Sequence, residues 1–102
     1  MTLPTQLVLR ALLDDPRAER YGLEIGEAAG LPSGTIHPIL ARLERLGWVE
    51  SRWEEVDPSA AGRPARRYYR LTTDGIDHAR DGLARAYRPA HAKILRPQPG
   101  QT

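Results

Sequence analysis

The order of four segments constrains the fold of this chain most: two short helical patterns are followed by two strand patterns. The helical patterns cover residues 21–29 and 33–46, and the glycine, leucine and proline of residues 30–32 separate them. Glycine suits the left-handed position after a helix end, and proline prevents the helix from continuing. The strand patterns, at 48–55 and 66–71, predict a hairpin with a long loop. This order of helix-turn-helix and β-wing predicts a winged-helix arrangement.

The second helix of the pair is predicted to have Ser33 as its N-cap and to present one apolar and one polar face. Its apolar residues recur at three- and four-residue steps, which predicts a buried stripe of Ile36, Ile39, Leu40, Leu43 and Leu46. The opposite side carries Gly34, Pro38, Ala41 and Arg45, flanked by Thr35, His37 and Arg42. In the first helix of the pair, the residues predicted to face inward are Leu23, Ile25, Ala28 and Ala29.

Hydroxyls and arginines on the solvent face of a helix are the groups that contact DNA. Ser33 and Thr35 can donate to phosphate at the helix N-terminus, where the helix dipole and free amides assist. Arg42 and Arg45, one and two turns further on, can reach a guanine edge or the backbone. A solvated arginine face of an ordinary amphipathic helix has the same pattern, so the helix alone leaves both interpretations open.

The loop between the two strand patterns concentrates positive charge. The net charge of the chain is only +2, but residues 62–70 contain four arginines and no carboxylate. Pro64 favours an extended backbone at Arg63, so this guanidinium is predicted to project into a narrow minor groove. Arg66 and Arg67 fall on opposite faces of the strand, so at most one of them follows the same phosphates. A floppy cationic loop without a partner is the alternative.

The first and last helical segments carry apolar surface beyond the needs of one small core. Thr5 is predicted to cap a helix that ends at Asp14 and is apolar nearly all round, which implies cover from a second subunit. Thr72 is predicted to cap a last helix, with near-heptad spacing at Ile76, Ala79, Leu83, Ala86 or Tyr87, Ala90 and Ile94. Pro89 is predicted to kink this helix or end it near Arg88.

Composition excludes several other classes of protein. A chain of 102 residues forms one domain, and the absence of cysteine excludes disulfides and favours a cytoplasmic location. No apolar run approaches the ~20 residues that span a bilayer, so no membrane partner is expected. The three histidines and the carboxylates near residue 54 predict neither a metal cofactor nor an enzyme. Trp48 and Trp53 are predicted to pack in the fold, with a stacked ligand as the alternative.

Four motifs in this order resemble the PadR-like transcriptional regulators. They are YGLEI at 21–25, LPSGTIHPILARLE at 31–44, SRWEE at 51–55 and GRPARRYYRLT at 62–72. The resemblance covers about residues 3 to 90. It implies a homodimeric repressor with a winged helix-turn-helix domain at 1–72 and a C-terminal dimerisation helix at 73–95.

The resemblance also indicates where this chain departs from the family. The family usually has tyrosine at the position of His37. Its drug-binding members, which have a similar single C-terminal helix, stack the ligand on a tryptophan of that helix. This chain has only Tyr87 there, which is therefore the candidate ligand-binding residue. Residues 96–102 are predicted to be a disordered tail.

The sequence therefore predicts a mainly α protein with a small β-hairpin (α+β), a winged helix-turn-helix joined to a dimerisation helix. Its predicted partners are double-stranded DNA with a pseudo-palindromic operator, a second copy of the chain, and a small-molecule effector that relieves repression. The predicted DNA-binding residues are Ser33, Thr35, His37, Pro38, Arg42, Arg45, Arg63, Arg66 and Arg67. The alternative function is a winged helix that contacts protein instead of DNA.

Overall fold

The computed structural model describes residues 1–95, with side chains described through residue 86. The elements are α1 (Leu3–Leu13), β1 (Arg20–Tyr21), α2 (Gly22–Ala29), α3 (Ser33–Arg45), β2 (Val49–Trp53), α4 (Pro58–Ala61), β3 (Arg67–Leu71) and α5 (Thr73–Leu95). The predicted α+β winged-helix fold is confirmed. The helices α2 and α3 form the helix-turn-helix, and β2, β3 and the loop between them form the wing. The tail predicted at 96–102 lies outside the described residues.

The wing belongs to a three-stranded antiparallel sheet of order β1-β3-β2. At its base Val49 pairs with Leu71, and at its outer end Trp53 pairs with Arg67. The strand β1 adds a third strand to the hairpin by pairing with β3, although the sequence predicted only the hairpin. The strand β1 was not predicted because two residues are too few to show an alternation of apolar and polar side chains.

The core lies between α1, α2, α3, the start of α5 and the inner face of the sheet. Its fully buried side chains include those of Val8, Leu9, Ile25, Ile36, Leu40, Leu43 and Leu71. Two expectations about this core are wrong. Leu46 is 58% exposed, and in α2 the inward residues are Ile25, Gly26 and Ala29, while Leu23 and Ala28 are exposed.

The end of α3 explains the exposure of Leu46. This residue is the C-cap, and the next residue, Gly47, has φ 78°. The Trp48 amide donates to the Leu43 carbonyl at 3.0 Å, which closes the helix end. The chain therefore leaves the helix at Leu46, and the apolar stripe does not continue through it.

Two helix starts differ from prediction. The cap of α1 is Thr2, whose Oγ1 accepts a bond from the Thr5 amide at 3.4 Å, so the helix begins two residues before the predicted cap. The residue before α3 is Pro32, whose carbonyl accepts bonds from the Thr35 and Ile36 amides. Ser33 is therefore the first helical residue and not the N-cap.

The apolar character of α1 follows from its central place in the fold. Contacts with α2, α3, β3 and α5 cover most of it, so Val8, Leu9 and Leu12 are buried within one chain. A second subunit is not needed to cover these residues. Large apolar side chains stay exposed at the N-terminal end, where Leu3 is 64% exposed.

The helix α5 is joined to the end of α3 by a compact set of contacts. The Thr72 hydroxyl accepts a bond from the Gly75 amide at 2.9 Å, as the predicted cap requires, and donates to the Gly47 carbonyl at 2.8 Å. A Cβ atom at Gly75 would lie 1.9 Å from the Trp48 carbonyl oxygen. The helix continues through Pro89 to Leu95, so the alternative of an end near Arg88 is not observed.

None of the helices in residues 1–95 is both long enough and apolar enough to cross a bilayer.

Candidate nucleic-acid interface

The helix α3 presents to solvent the face that the sequence predicted. Ile36, Ile39, Leu40 and Leu43 anchor it in the core, so the residues on the other side are exposed. We define the recognition face as Ser33, Gly34, Thr35, His37, Pro38, Ala41 and Arg45, all exposed except the half-buried Thr35. Pro38 lies inside the helix without ending it.

The N-terminal end of α3 is suited to an anion. Within the described part of the chain, no side chain caps this helix. The first amides of a helix lack intrahelical acceptors and carry the positive end of the helix dipole. In this helix the Thr35 and Ile36 amides donate to the Pro32 carbonyl, so the amides of the exposed residues Ser33 and Gly34 are the ones left for a ligand, beside the Ser33 hydroxyl. This end can therefore hold a phosphate through backbone amides and one hydroxyl.

His37 lies where α3 meets the start of α2. A Cβ atom at Gly22, the first residue of α2, would lie 3.0 Å from His37 Cε1. The imidazole therefore rests against the α2 backbone, and a side chain at position 22 would require the His37 ring to shift. Because His37 is also exposed, it continues the recognition face toward α2.

The two arginines predicted on α3 have different surroundings. Arg42 lies on the flank of α3 away from His37, and its Nη2 donates to Thr5 Oγ1 of α1 at 3.2 Å. Arg45 lies in the middle of the recognition face and is exposed. The ion pairs found within residues 1–86 do not include either arginine. Both charges are thus available, and Arg45 is the better placed.

Carboxylates neutralise three of the four wing arginines. Glu54 pairs with Arg63 at 2.6 Å, Glu50 with Arg70 at 2.7 Å, and Glu44 of α3 with Arg67 at 3.6 Å. Glu50 and Arg70 are direct cross-strand neighbours. The wing is therefore less cationic than residues 62–70 suggest, because the carboxylates that pair with its arginines lie outside that segment, in β2, directly after β2 and in α3.

Glu54 organises the wing loop. Its two oxygens accept bonds from Arg63 Nη1 and Nη2 at 2.6 and 3.0 Å, and Oε1 also accepts from the Arg66 amide at 3.2 Å. The hydrogen-bonded Arg63 guanidinium is the main reason that the pKa of Glu54 falls to about 2; partial burial opposes this shift, and the Arg66 amide adds to it. Arg63 thus folds back along the wing and does not project from its tip as predicted. The forked guanidinium matches the carboxylate, which explains this preference.

Arg66 connects the wing to the helix-turn-helix. Its guanidinium carbon lies 4.2 Å from the centre of the Tyr21 ring, a cation–π contact. Tyr68 supports Tyr21 in an edge-to-face contact at 5.9 Å. Since Tyr21 precedes Gly22, a continuous surface runs from Arg66 through Tyr21 and Gly22 to His37. Within residues 1–86, no carboxylate lies in ion-pair distance of Arg66.

The two tryptophans have opposite environments. Trp48 stacks on His78 of α5 with ring centres 5.2 Å apart and an interplanar angle of 6°, which is the packing role predicted for it. Trp53 is 59% exposed at the outer end of β2, so the prediction that it packs inside the fold is wrong. Alternation along β2 puts Trp53 on the same face as the buried Val49, but the core does not extend as far as Trp53.

Two expected features can be placed only in part. Tyr87 belongs to α5, and its side chain lies outside the described residues, so its role in ligand binding stays a prediction. Among the residues that are described, no group of three or more histidine and carboxylate side chains could hold a metal ion.

Comparison with protein families matches residues 8–81 to the transcriptional regulator PadR-like family. Comparison with proteins of curated function gives no match. The family match includes α2, α3 and the wing, and therefore the whole recognition face.

Solved structures similar to this chain include further regulators. A PadR family transcriptional regulator from Eggerthella lenta is 26% identical, with a TM-score of 0.68 and coverage of 92% of this chain and 85% of that one. PcaV from Streptomyces coelicolor, solved with its natural ligand, is 29% identical with a TM-score of 0.69; the match covers 95% of this chain but only 62% of PcaV. The protein smu.1704 from Streptococcus mutans shares the fold at 23% identity, with a TM-score of 0.71 and coverage of 97% and 92%.

Proposed function

Because the chain belongs to the PadR-like family of transcriptional regulators, we propose that it represses transcription as a homodimer bound to a pseudo-palindromic operator. The observation that carries this proposal is the continuous surface from Arg66 across Tyr21 and Gly22 to His37. It joins the wing to the recognition face, so one stretch of duplex can contact both. A small-molecule effector that relieves repression is also part of the proposal, with Tyr87 as the residue to test.

In the proposed complex α3 enters the major groove. The uncapped N-terminal end of α3, with Ser33 and Thr35, holds a phosphate, and Arg45 reaches a base edge from the middle of the recognition face. Arg66 follows the backbone beside the groove. Arg42 also donates to phosphate after leaving Thr5. Arg63 is tied to Glu54 in the free protein and contributes to the shape of the wing more than to its charge.

The proposed dimer uses α5 and the exposed N-terminal end of α1. Leu3 and Met1 are large apolar side chains left open to solvent there, and α5 extends to Leu95. A twofold pair places two copies of α3 about 34 Å apart, one turn of B-DNA. The operator is then an inverted repeat whose half-sites are roughly 10 base pairs apart.

The test is selection of genomic fragments by the purified full chain at physiological salt, with its mass measured in solution. We expect a dimer that enriches fragments containing an inverted repeat. Arg45→Ala should cost ~1–3 kcal/mol per base contact and relax preference at one position of each half-site. Arg17→Ala is the matched control, because Arg17 is an exposed arginine between α1 and β1, outside the recognition face, the wing and the proposed dimer elements. No enrichment, or enrichment unchanged by both Arg45→Ala and Arg66→Ala, would show that the proposal is wrong.

A further inference from the structure

Trp53 is an exposed tryptophan that the fold does not explain. On the inner face of the hairpin, the pair Val49 and Leu71 is buried at the base, whereas Trp53 and Arg67 form the last pair. The indole is 59% exposed. A large apolar side chain left open to water is a common mark of an interaction surface. The inner face turns toward α3, so this surface lies beside the recognition face.

The contacts of Trp53 fix its position relative to α3. The guanidinium carbon of Arg67 lies 5.1 Å from the centre of the indole ring. Arg67 Nη2 also lies 3.6 Å from Glu44 Oε2, and Ser51 Oγ donates to the same oxygen at 2.6 Å. Glu44 and His37 are seven residues apart in α3 and so share one edge of that helix. Through Glu44, the Trp53–Arg67 pair lies against the same edge of α3 as the exposed His37, about two turns further along the helix.

The ion pair of Arg67 is the one in the wing that phosphate can replace most easily. It has a single long contact of 3.6 Å between two half-exposed groups. Arg63 holds Glu54 through two bonds of 2.6 and 3.0 Å, and Arg70 holds Glu50 at 2.7 Å. Exposed ion pairs of the first kind contribute little to stability. A phosphate oxygen can therefore take the place of the Glu44 carboxylate at little cost to the fold.

We propose that Trp53 and Arg67 together form a contact to the DNA backbone, in which the indole packs on a deoxyribose and Arg67 transfers from Glu44 to the adjacent phosphate. The bases of a duplex are stacked on one another, so the sugar is the apolar surface open to an indole at the groove edge. This inference rests on the proposed function. It adds a residue outside the arginine set and makes the contact independent of base sequence.

The two tryptophans of the chain allow a direct test. In Trp48→Phe, Trp53 is the one remaining tryptophan, and excitation at its absorption edge avoids the four tyrosines. Titration with the selected operator duplex should change its emission, with saturation at the concentration where anisotropy of labelled DNA shows binding. The converse variant Trp53→Phe keeps Trp48, which is stacked on His78 and should respond much less. If Trp48→Phe does not fold, the emission change of the native chain minus that of Trp53→Phe gives the response of Trp53.

Affinity measurements complete the test. Trp53→Ala should weaken binding to all sequences by roughly tenfold, because the indole no longer covers the sugar, without changing the salt slope. Arg67→Ala should reduce the slope by about 0.9 for each phosphate that this arginine neutralises. If the emission of Trp53 does not change on titration with DNA, while Arg45→Ala still weakens DNA binding, this inference is overturned and the proposed function stands. No DNA binding by the native chain would overturn the proposed function itself. A response of Trp53 to a second protein instead of DNA would also overturn the inference.

Discussion

Replacing Arg66 with alanine measures how the wing engages DNA, because this arginine has no carboxylate partner within residues 1–86. Each phosphate neutralised by the protein adds about 0.9 to the slope of log affinity against log salt. A dimer carries two copies of Arg66, so the slope of Arg66→Ala should be shallower by about 1.8. Between about 50 and about 200 mM salt, the affinity deficit of the variant should therefore shrink roughly twelvefold.

Arg70→Ala is the matched control for this measurement. Arg70 lies on β3 four residues after Arg66 and is exposed, but its Nε is 2.7 Å from the Glu50 carboxylate. Removing a guanidinium that is already neutralised should leave the slope unchanged. The assay is fluorescence anisotropy of a labelled operator at several salt concentrations. If Arg70→Ala and Arg66→Ala change the slope equally, pairing with Glu50 does not keep Arg70 from the DNA phosphates, and the reasoning is refuted.

The same reasoning bounds the slope of the native protein. Arg66 lies against Tyr21 and the weakly held Arg67 against Glu44, so these two arginines would neutralise different phosphates. Together with Arg42 and Arg45 they would neutralise about six to eight phosphates per dimer, depending on whether Arg45 reads a base. The expected slope is then about −5 to −7, compared with about −9 to −11 if Arg63 and Arg70 also reached phosphate. A slope near the larger value would contradict the pairing of these two arginines with Glu54 and Glu50.

Two further predictions concern the stability of the fold. Gly75→Ala should destabilise the chain by ~2–3 kcal/mol in thermal or urea denaturation, because the new Cβ would lie 1.9 Å from the Trp48 carbonyl oxygen. Gly34→Ala is the control: a Cβ there would meet no neighbouring atom within 4 Å, so this variant should be as stable as the native chain or more stable. A Gly75→Ala variant as stable as the native chain would contradict the close packing of α5. Because the pKa of Glu54 in the fold is about 2, below its ordinary 4.5, its contribution to stability is complete above pH 4.5 and is lost as the pH falls toward 2. Urea midpoints should show this loss in the native chain and less of it in Glu54→Gln, and an identical acid profile would contradict the role of Glu54.

The helices and the core of this fold follow from periodicity. The apolar stripe of α3 at Ile36, Ile39, Leu40 and Leu43 predicts both its buried side and its exposed face, because a residue's direction on a regular helix depends only on its position. The same rule failed at Leu46, where the helix has already ended. Helix ends depend on local bonds such as that from Trp48 to Leu43, which the spacing of apolar residues does not encode.

The charge of the wing was overestimated for a related reason. The sequence places the arginines of 62–70 together, whereas their partners Glu44, Glu50 and Glu54 come from earlier segments. Strand register decides these pairs, and register follows from the fold as a whole. The exposure of Trp53 escaped prediction in the same way, since alternation gives the face of a strand but not where the core beneath it ends.

The sharpest test of a shared surface on α3 and the wing is an amide NMR titration of the full chain with the selected operator. The largest shifts should fall in residues 33–45, at Tyr21 and Gly22, and in residues 51–68. Exposed amides of α5 near Arg80 should move little. Large shifts confined to α1 and α5, with the recognition face unchanged, would contradict the proposal that these elements bind one duplex together.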